Sequence, residues 1–213
     1  MLVNIVDHPL KRSQLKCLRD KKWLRDDVLD AYMALLQERA AKAEKKQKFL
    51  PMHFYQLISA VDYNVRSGLA YVKEQDLFEW DYLYIPINVD GNHWVMVVVD
   101  FKKHTLWALD PLPPAGDNGY GREHELATVA RFLNDLGKAR YGAGKDVLTW
   151  SRKDMLGIPV QPDTYNCGVY VLMYAECMSR GSMIVIDPNT LPHMRQRIAV
   201  DLVGGSISRG SPT

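Results

Sequence analysis

A thiol, an imidazole and a carboxylate held together can hydrolyse an acyl bond, and this chain offers one of each in a context suited to its part. Cys167 lies in Gln161-Pro162-Asp163-Thr164-Tyr165-Asn166-Cys167-Gly168-Val169-Tyr170, a polar turn followed by an apolar run that reads as a buried helix. A cysteine at a helix N-terminus feels the positive end of the helix dipole, which favours the nucleophilic thiolate. Upstream, His93-Trp94 opens Val95-Met96-Val97-Val98-Val99-Asp100-Phe101, too β-branched and too short for anything but a buried strand. His93 then sits at the mouth of that strand. A turn at Lys102-Lys103-His104 leads to Thr105-Leu106-Trp107-Ala108-Leu109-Asp110, whose alternation predicts an antiparallel partner ending in a carboxylate. Such a hairpin returns Asp110 to the side of His93. The thiol needs a base, and an imidazole serves best when a carboxylate fixes its tautomer and stabilises its cation. Cys167, His93 and Asp110 fill those three places.

The elements that must hold these groups fall into a helical part, about residues 1–80, and a sheet-bearing part, about 81–203. Asp26 or Asp27 can cap a helix whose apolar positions Val28, Leu29, Tyr32, Met33, Leu35 and Leu36 share one face. That helix is expected to continue through 38–48, a solvated extension with interleaved charges and no aromatic residue. His53 to Tyr63 reads as another helix. Tyr82 to Val89 reads as a strand separated from the next by Asp90-Gly91-Asn92, with Pro86 marking an edge position or a bulge. Pro111 to Gly121 is rich in turn formers, and helix resumes over Glu123 to Arg140 with Leu126, Val129, Ala130, Leu133 and Leu136 at helical spacing. Val147 to Trp150 reads as a strand, Cys167 to about Ser179 as the nucleophile helix, and Leu191 to Val203 as a last helix stopped by glycine. Residues 204–213 read as a flexible Gly/Ser tail. The sum is one α+β domain over 1–203, a small and mostly antiparallel sheet flanked by helices.

Composition sets the outer bounds. The 213 residues are 47% hydrophobic and 24% charged, ordinary for one globular unit. Basic residues number 27 against 25 acidic, so no strong field for nucleic acid is implied. Three cysteines, Cys17, Cys167 and Cys177, have no paired spacing, which argues against a disulfide framework and for a reducing compartment. Cys17 and Cys177 read as structural. No apolar stretch approaches the eighteen residues of a membrane span, and Met1 to Arg12 lacks the layout of a signal peptide. His8, His53, His104, His124 and His193 show no ligand spacing, so neither a metal nor another cofactor is expected.

The order and intervals of these motifs resemble the SUMO-specific, or sentrin-type, cysteine peptidases. There a His-Trp pair opens one strand, an Asp follows seventeen residues later, and a Gln stands six residues before Cys-Gly; here those places hold His93-Trp94, Asp110, Gln161 and Cys167-Gly168. Trp23-Leu24-Arg25-Asp26-Asp27-Val28-Leu29-Asp30-Ala31-Tyr32-Met33 is similar to the family's N-terminal Trp-Leu helix, and Tyr84-Ile85-Pro86-Ile87 to the strand before its histidine. The likeness spans roughly residues 15 to 180. Two places depart from the pattern: Asn166 precedes the nucleophile where Asp is commoner, and Pro111 follows Asp110 where Ser is commoner.

The resemblance implies a papain-like arrangement with the nucleophile at the N-terminus of a central helix. It also implies an oxyanion-hole role for Gln161, and substrate contacts by Trp94, Trp23 and Asn166 along a narrow channel for a modifier's Gly-Gly tail. The implied activity is that of an isopeptidase, and of a precursor-processing endopeptidase, acting on SUMO or a related ubiquitin-like protein. The expected enzyme is a monomer of the cytoplasm or nucleus, of a host cell if it is a microbial effector. Alternatives are a deubiquitinase, an effector acetyltransferase of the same clan, or an inactive modifier-binding module.

Overall fold

The β-branched run after His93 forms a strand buried on both sides, which is why its apolar character is continuous rather than alternating. Trp94, Met96 and Val98 enter one core layer, and Val95, Val97 and Val99 enter another. The structure, a computed structural model, describes residues 2–5, 8–72, 76–113 and 121–207. Its strands are β1 (Leu2–Ile5), β2 (His8–Lys11), β3 (Gln47–Phe49), β4 (Tyr82–Val89), β5 (His93–Asp100), β6 (Thr105–Leu109) and β7 (Ser151–Asp154). Its helices are α1 (Asp26–Lys42), α2 (Met52–Ser59), α3 (Val65–Leu69), α4 (Glu123–Tyr141), α5 (Cys167–Arg180) and α6 (Leu191–Gly204).

β1 and β2 pair as an antiparallel hairpin, and the other strands form a sheet of order β3-β4-β5-β6-β7. The central pairings of β4 with β5 and β5 with β6 are antiparallel, while the edge strands β3 and β7 join in parallel. The sheet is therefore mixed, with its longer ladders antiparallel, in the expected α+β class. Helices α1, α5 and α6 cover one face; α2, α3 and α4 cover the other. α5 lies innermost, buried at every residue from Cys167 to Cys177, and a left-handed Gly181 ends it.

Pro86 sits where the sequence places it, at an edge and without a bulge. The register of β4 against β5 is unbroken, and β3 stops opposite Tyr84. The Tyr84 carbonyl accepts the Leu50 N–H at 3.0 Å on the β3 side. Two residues on, the N–H that proline lacks points to that same side, past the end of β3.

Other boundaries differ from the sequence reading. Arg25, rather than Asp26 or Asp27, is the N-cap of α1; the two aspartates lie in the first turn, where they complement the helix dipole. The helix ends at Lys42, short of the expected extension through 38–48. Glu44 adopts a positive φ of 52° and the Lys45 N–H returns to the Ala40 carbonyl at 3.0 Å, turning the chain so that Gln47 and Phe49 are buried in β3. Because β3 joins the main sheet, the first eighty residues are not purely helical. The helix expected over His53 to Tyr63 ends at Ser59, and Asn64 caps the short α3.

The strand expected at Val147 to Trp150 is a 3-10 turn over Val147–Thr149. Val147 and Trp150 are buried three apart while Leu148 is exposed, the spacing of a tight helix. The strand falls instead on polar Ser151–Asp154 at the sheet edge, which has no apolar signature. In the supposed tail, Gly204 still belongs to α6 and Ile207 packs against the core. Residues 208–213, and 114–120 of the turn-rich loop, lie outside the described residues. No helix among the described residues is long and apolar enough to cross a membrane.

A carboxylate locks the helical layer. Glu176 of α5 is buried and meets Arg39 of α1 at 3.3 Å, Arg197 of α6 at 2.5 Å, and Arg180 one turn along. Three guanidinium groups draw charge compensation from this one buried acid, and Arg197 has buried Asp201 at 3.9 Å besides. Glu176→Gln should therefore lower stability by about 2 kcal/mol, less than for a fully buried pair because the arginines are partly hydrated. The urea midpoint reads this directly; a midpoint equal to that of the parent would show that water already satisfies the arginines.

Candidate active site

The hairpin of β5 and β6 sets the first half of the site. Its register, with Met96 opposite Leu109, carries Asp110 back to the mouth of β5. There the His93 Nε2 lies 2.7 Å from Asp110 Oδ1. The same oxygen accepts the Leu112 N–H at 2.8 Å, and Oδ2 accepts Arg122 Nε at 2.7 Å and a terminal guanidinium nitrogen at 2.6 Å. The side chains of His93 and Asp110 are 14% and 5% exposed.

The second half comes from the turn before α5. Asp163 Oδ1 accepts the N–H groups of Tyr165 and Asn166, each at 2.9 Å, closing a turn that delivers Cys167 to the first position of the helix. The Cys167 thiol also neighbours His93 and acts on its protonation. Since Nε2 is committed to Asp110, Nδ1 is the ring nitrogen left for the sulfur. The fold thus gathers Cys167, His93 and Asp110 at one place.

Electrostatics in the line follow from burial opposed by pairing. Burial alone would push the His93 pKa down; hydrogen bonds to Asp110 and Cys167 and the charges of both partners outweigh it and raise the value to about 9. Burial alone would push the Asp110 carboxyl up, but hydrogen bonds from His93 and Leu112 and the charge of Arg122 hold it below its ordinary value. At neutral pH the arrangement favours imidazolium beside carboxylate, the state in which His93 has a proton to give.

Gln161 joins the two halves. Its backbone N–H donates to the Pro111 carbonyl, next to Asp110, at 2.7 Å, and its Nε2 donates to the Asp163 carbonyl at 2.5 Å. The side chain is buried, and Oε1 has no hydrogen-bond partner. Trp94 is 3% exposed, its indole N–H donating to the Leu24 carbonyl at 3.2 Å, so it is a fixed wall rather than a movable cover. Leu24 in turn lies against Gly168, where an added Cβ would stand 2.9 Å from the Leu24 Cβ. Trp23 is 49% exposed and free to meet a ligand.

The Asn166 side chain donates to Asp163 Oδ2 at 2.6 Å, accepts from Arg195 Nε at 2.9 Å, and is buried. It braces the turn behind the nucleophile. Sequence reasoning missed three residues here. Asp163 carried the signal of an Asx turn ahead of a helix. Arg195, 1% exposed, donates to Asn166 and to the carbonyls of Cys17, Arg19, Lys22 and Tyr165; its signal was a charge sharing the helical spacing of Leu191, Ile198 and Leu202, a face that also carries Asp201. Arg122 had none, because a loop separates it from its partner. Among the described residues no cluster of His, Cys, Asp and Glu could hold a metal ion.

A family model described as "Ulp1 protease family, C-terminal catalytic domain" matches residues 22–204. The chain belongs to the Ulp1 protease family. It is 29% identical over 199 residues to the putative ubiquitin-like-specific protease 1B of Arabidopsis thaliana, covering 89% of this chain and 56% of that protein. It is 27% identical over 202 residues to sentrin-specific protease 2 of Homo sapiens, covering 91% and 32%. The chain therefore spans between about a third and just over half of these relatives' length. Among solved structures it superposes on the C-terminal Ulp1 protease domain in complex with SMT3, the yeast ortholog of SUMO. That match has a TM-score of 0.79, 21% identity, and coverage of 98% and 89%. The Xanthomonas campestris effector XopD bound to ubiquitin aligns with a TM-score of 0.60 at 22% identity, covering 85% and 92%. Both likenesses show the Ulp1 catalytic-domain fold.

The raised His93 pKa makes a stability prediction. A group that holds its proton more tightly when folded stabilises the fold fully below its unfolded pKa, 6.5, and loses that contribution as pH rises through about 9. The gap in thermal midpoint between the parent protein and His93→Ala should narrow across that window. A gap independent of pH from 6.5 to 9 would show that the imidazolium pairing is absent.

Proposed function

We propose that this chain is a cysteine peptidase that cleaves after the C-terminal Gly-Gly of SUMO or a close ubiquitin-like relative, releasing it from a lysine and from precursor extensions. The observation that carries this reading is the gathering of Cys167, His93 and Asp110, with His93 Nε2 2.7 Å from Asp110 Oδ1, in a chain of the Ulp1 protease family. The names of the plant and human relatives, and the binding of SMT3 and ubiquitin by two structural neighbours, support a ubiquitin-like partner.

Cys167 attacks the carbonyl carbon of the terminal glycine as thiolate while His93 stands as imidazolium. Negative charge collects on the carbonyl oxygen, stabilised by the Cys167 backbone N–H and the second Nε2 hydrogen of Gln161, each worth about 3 kcal/mol in comparable sites. His93 then protonates the departing amine, leaving a thioester on Cys167. His93, now neutral, takes a proton from water, which attacks the thioester and frees the glycine carboxylate. Asp110 keeps Nδ1 aimed at the sulfur throughout.

Selectivity for glycine follows from access. Cys167 is 2% exposed and Trp94 3%, so the approach suits an extended backbone without side chains. The proposed catalytic unit is residues 1–203 acting as a monomer, and free buried cysteines suit the reducing cytoplasm or nucleus.

Probes made of SUMO, ubiquitin and other modifiers, each ending in an electrophile in place of the terminal carboxyl, test the reading. A covalent adduct on Cys167 with the SUMO probe, absent in Cys167→Ala, is expected. An adduct with ubiquitin in preference would redirect the substrate assignment, and no adduct with any modifier would sink it. Asp110→Asn should lower kcat on the order of a hundredfold with KM nearly unchanged, since it removes the orienter and not a binding group. Full turnover in Asp110→Asn would remove Asp110 from the mechanism.

A further inference from the structure

Three consecutive residues at the start of α4 are each tied to the sheet edge that carries the candidate acid. The Gly121 N–H donates to Asp154 Oδ2 at 2.8 Å, Arg122 places two nitrogens on Asp110 Oδ2 at 2.7 and 2.6 Å, and Glu123 meets Arg152 at 2.7 Å. Asp154 and Arg152 belong to β7, so Gly121 and Glu123 fix the backbone on either side of Arg122. The Arg122 side chain is 14% exposed, shielded with Asp110. Nothing in the reaction as derived above uses it.

We propose that Arg122 is a positioning residue for the hydrolytic line: its guanidinium pins Asp110 Oδ2, so that Oδ1 alone faces His93, and it cancels the carboxylate charge at every stage of turnover. The first part is geometric. A carboxylate held at one oxygen can rotate, whereas two nitrogens on Oδ2 and the Leu112 N–H on Oδ1 leave Asp110 one orientation. That orientation gives His93 Nε2 its acceptor and leaves Nδ1 as the free ring nitrogen.

The second part is a charge count. Before attack, sulfur and imidazole sum to zero whether as an ion pair or both neutral, and carboxylate and guanidinium sum to zero beside them. In the thioester stage sulfur and imidazole are neutral, and carboxylate and guanidinium again sum to zero. Without Arg122 the buried site would hold an uncompensated negative charge at both stages. The other titratable groups facing Asp110 do not supply this compensation. Asp154 on β7 is itself acidic, and the buried Tyr174 phenol of α5 is pushed far above its ordinary pKa, mainly by burial, and stays neutral.

This inference rests on the proposed peptidase reading, and its test separates the two. Alkylation of Cys167 by iodoacetamide, followed site by site by mass spectrometry because Cys17 and Cys177 are also free thiols, reports the thiolate without any substrate. In Arg122→Gln the loss of a nearby positive charge should move the pH onset of Cys167 alkylation upward by about one unit. On a fluorogenic modifier substrate, kcat should fall about tenfold while KM stays within about twofold. Arg122→Lys keeps the charge but gives up one contact, so it should restore the alkylation onset and recover only part of kcat.

An unchanged onset in folded Arg122→Gln overturns the proposal, whether or not kcat falls, because a merely structural role would leave the thiolate alone. Should Arg122→Gln not fold by circular dichroism, Arg122→Lys decides: a normal onset with reduced kcat upholds the two-contact hold, and full kcat overturns it. If the parent protein turns over no modifier substrate yet the onset shift is present, the peptidase reading fails and the role of Arg122 stands.

Discussion

A buried carboxylate is stable in ionised form only when donors satisfy both of its oxygens, and Asp110 has four N–H groups on it, from His93, Leu112 and twice from Arg122. Everything else at the site depends on that. With Asp110 ionised and fixed, the imidazole is held by Nε2 and keeps its proton at neutral pH in spite of burial. Were Asp110 free to rotate or to take up a proton, burial would dominate and His93 would be a neutral ring with no set direction. The hairpin register that returns Asp110 to the mouth of β5 is therefore a constraint on chemistry as much as on folding.

The nucleophile side rests on packing instead of charge. α5 can be the innermost helix because its residues from Cys167 to Ala175 are apolar or small, and Gly168 lets Leu24 lie directly on its first turn. Leu24 also receives the Trp94 indole N–H, so the start of α1, the first turn of α5 and the second residue of β5 meet at one point. Behind them Arg195 gathers carbonyls from residues 17, 19, 22 and 165 and the side chain of Asn166. The long N-terminal segment is thereby joined to the turn that presents the thiol. A fully buried arginine carries a large desolvation cost, offset here because its hydrogen bonds end on fixed carbonyls and an amide.

How much of this was legible follows from the range of each interaction. His93, Asp110 and Cys167 could be read because local pattern places each one: a β-branched run fixes His93, strand alternation fixes Asp110, and a polar turn before an apolar helix fixes Cys167. β4, β5, β6 and α5 were found almost to the residue for the same reason. β7 was misplaced because an edge strand with alternating exposure, Ser-Arg-Lys-Asp, looks like a loop, while the apolar Val147 and Trp150 that suggested a strand belong to a tight turn. The overlong α1 reflects good helix formers overruled by the burial of Gln47 and Phe49. Arg122 and Arg195 were illegible because their meaning lies in partners brought near by the fold: twelve residues away across a loop for one, and as many as 178 away for the other.

The near-complete burial of Cys167 bears on how the proposed reaction divides its work. A thiol 2% exposed, beside an indole 3% exposed and anchored by a hydrogen bond, cannot be approached by a chain with bulky side chains unless Trp94 leaves its carbonyl partner. Glycine removes that need, so the wall can stay fixed while the substrate threads past it. A tail without side chains, however, offers few contacts and a large entropy to lose on being held straight. In the proposed reaction affinity comes from surface remote from the reacting bond, and Trp23 is an exposed group available to it. On the proposed function, rate and selectivity for the tail belong to the buried residues and their rigid wall, and the choice of modifier belongs to the exposed surface. That surface is where the chain is freest to differ from its relatives without disturbing the hydrogen bonds on Asp110.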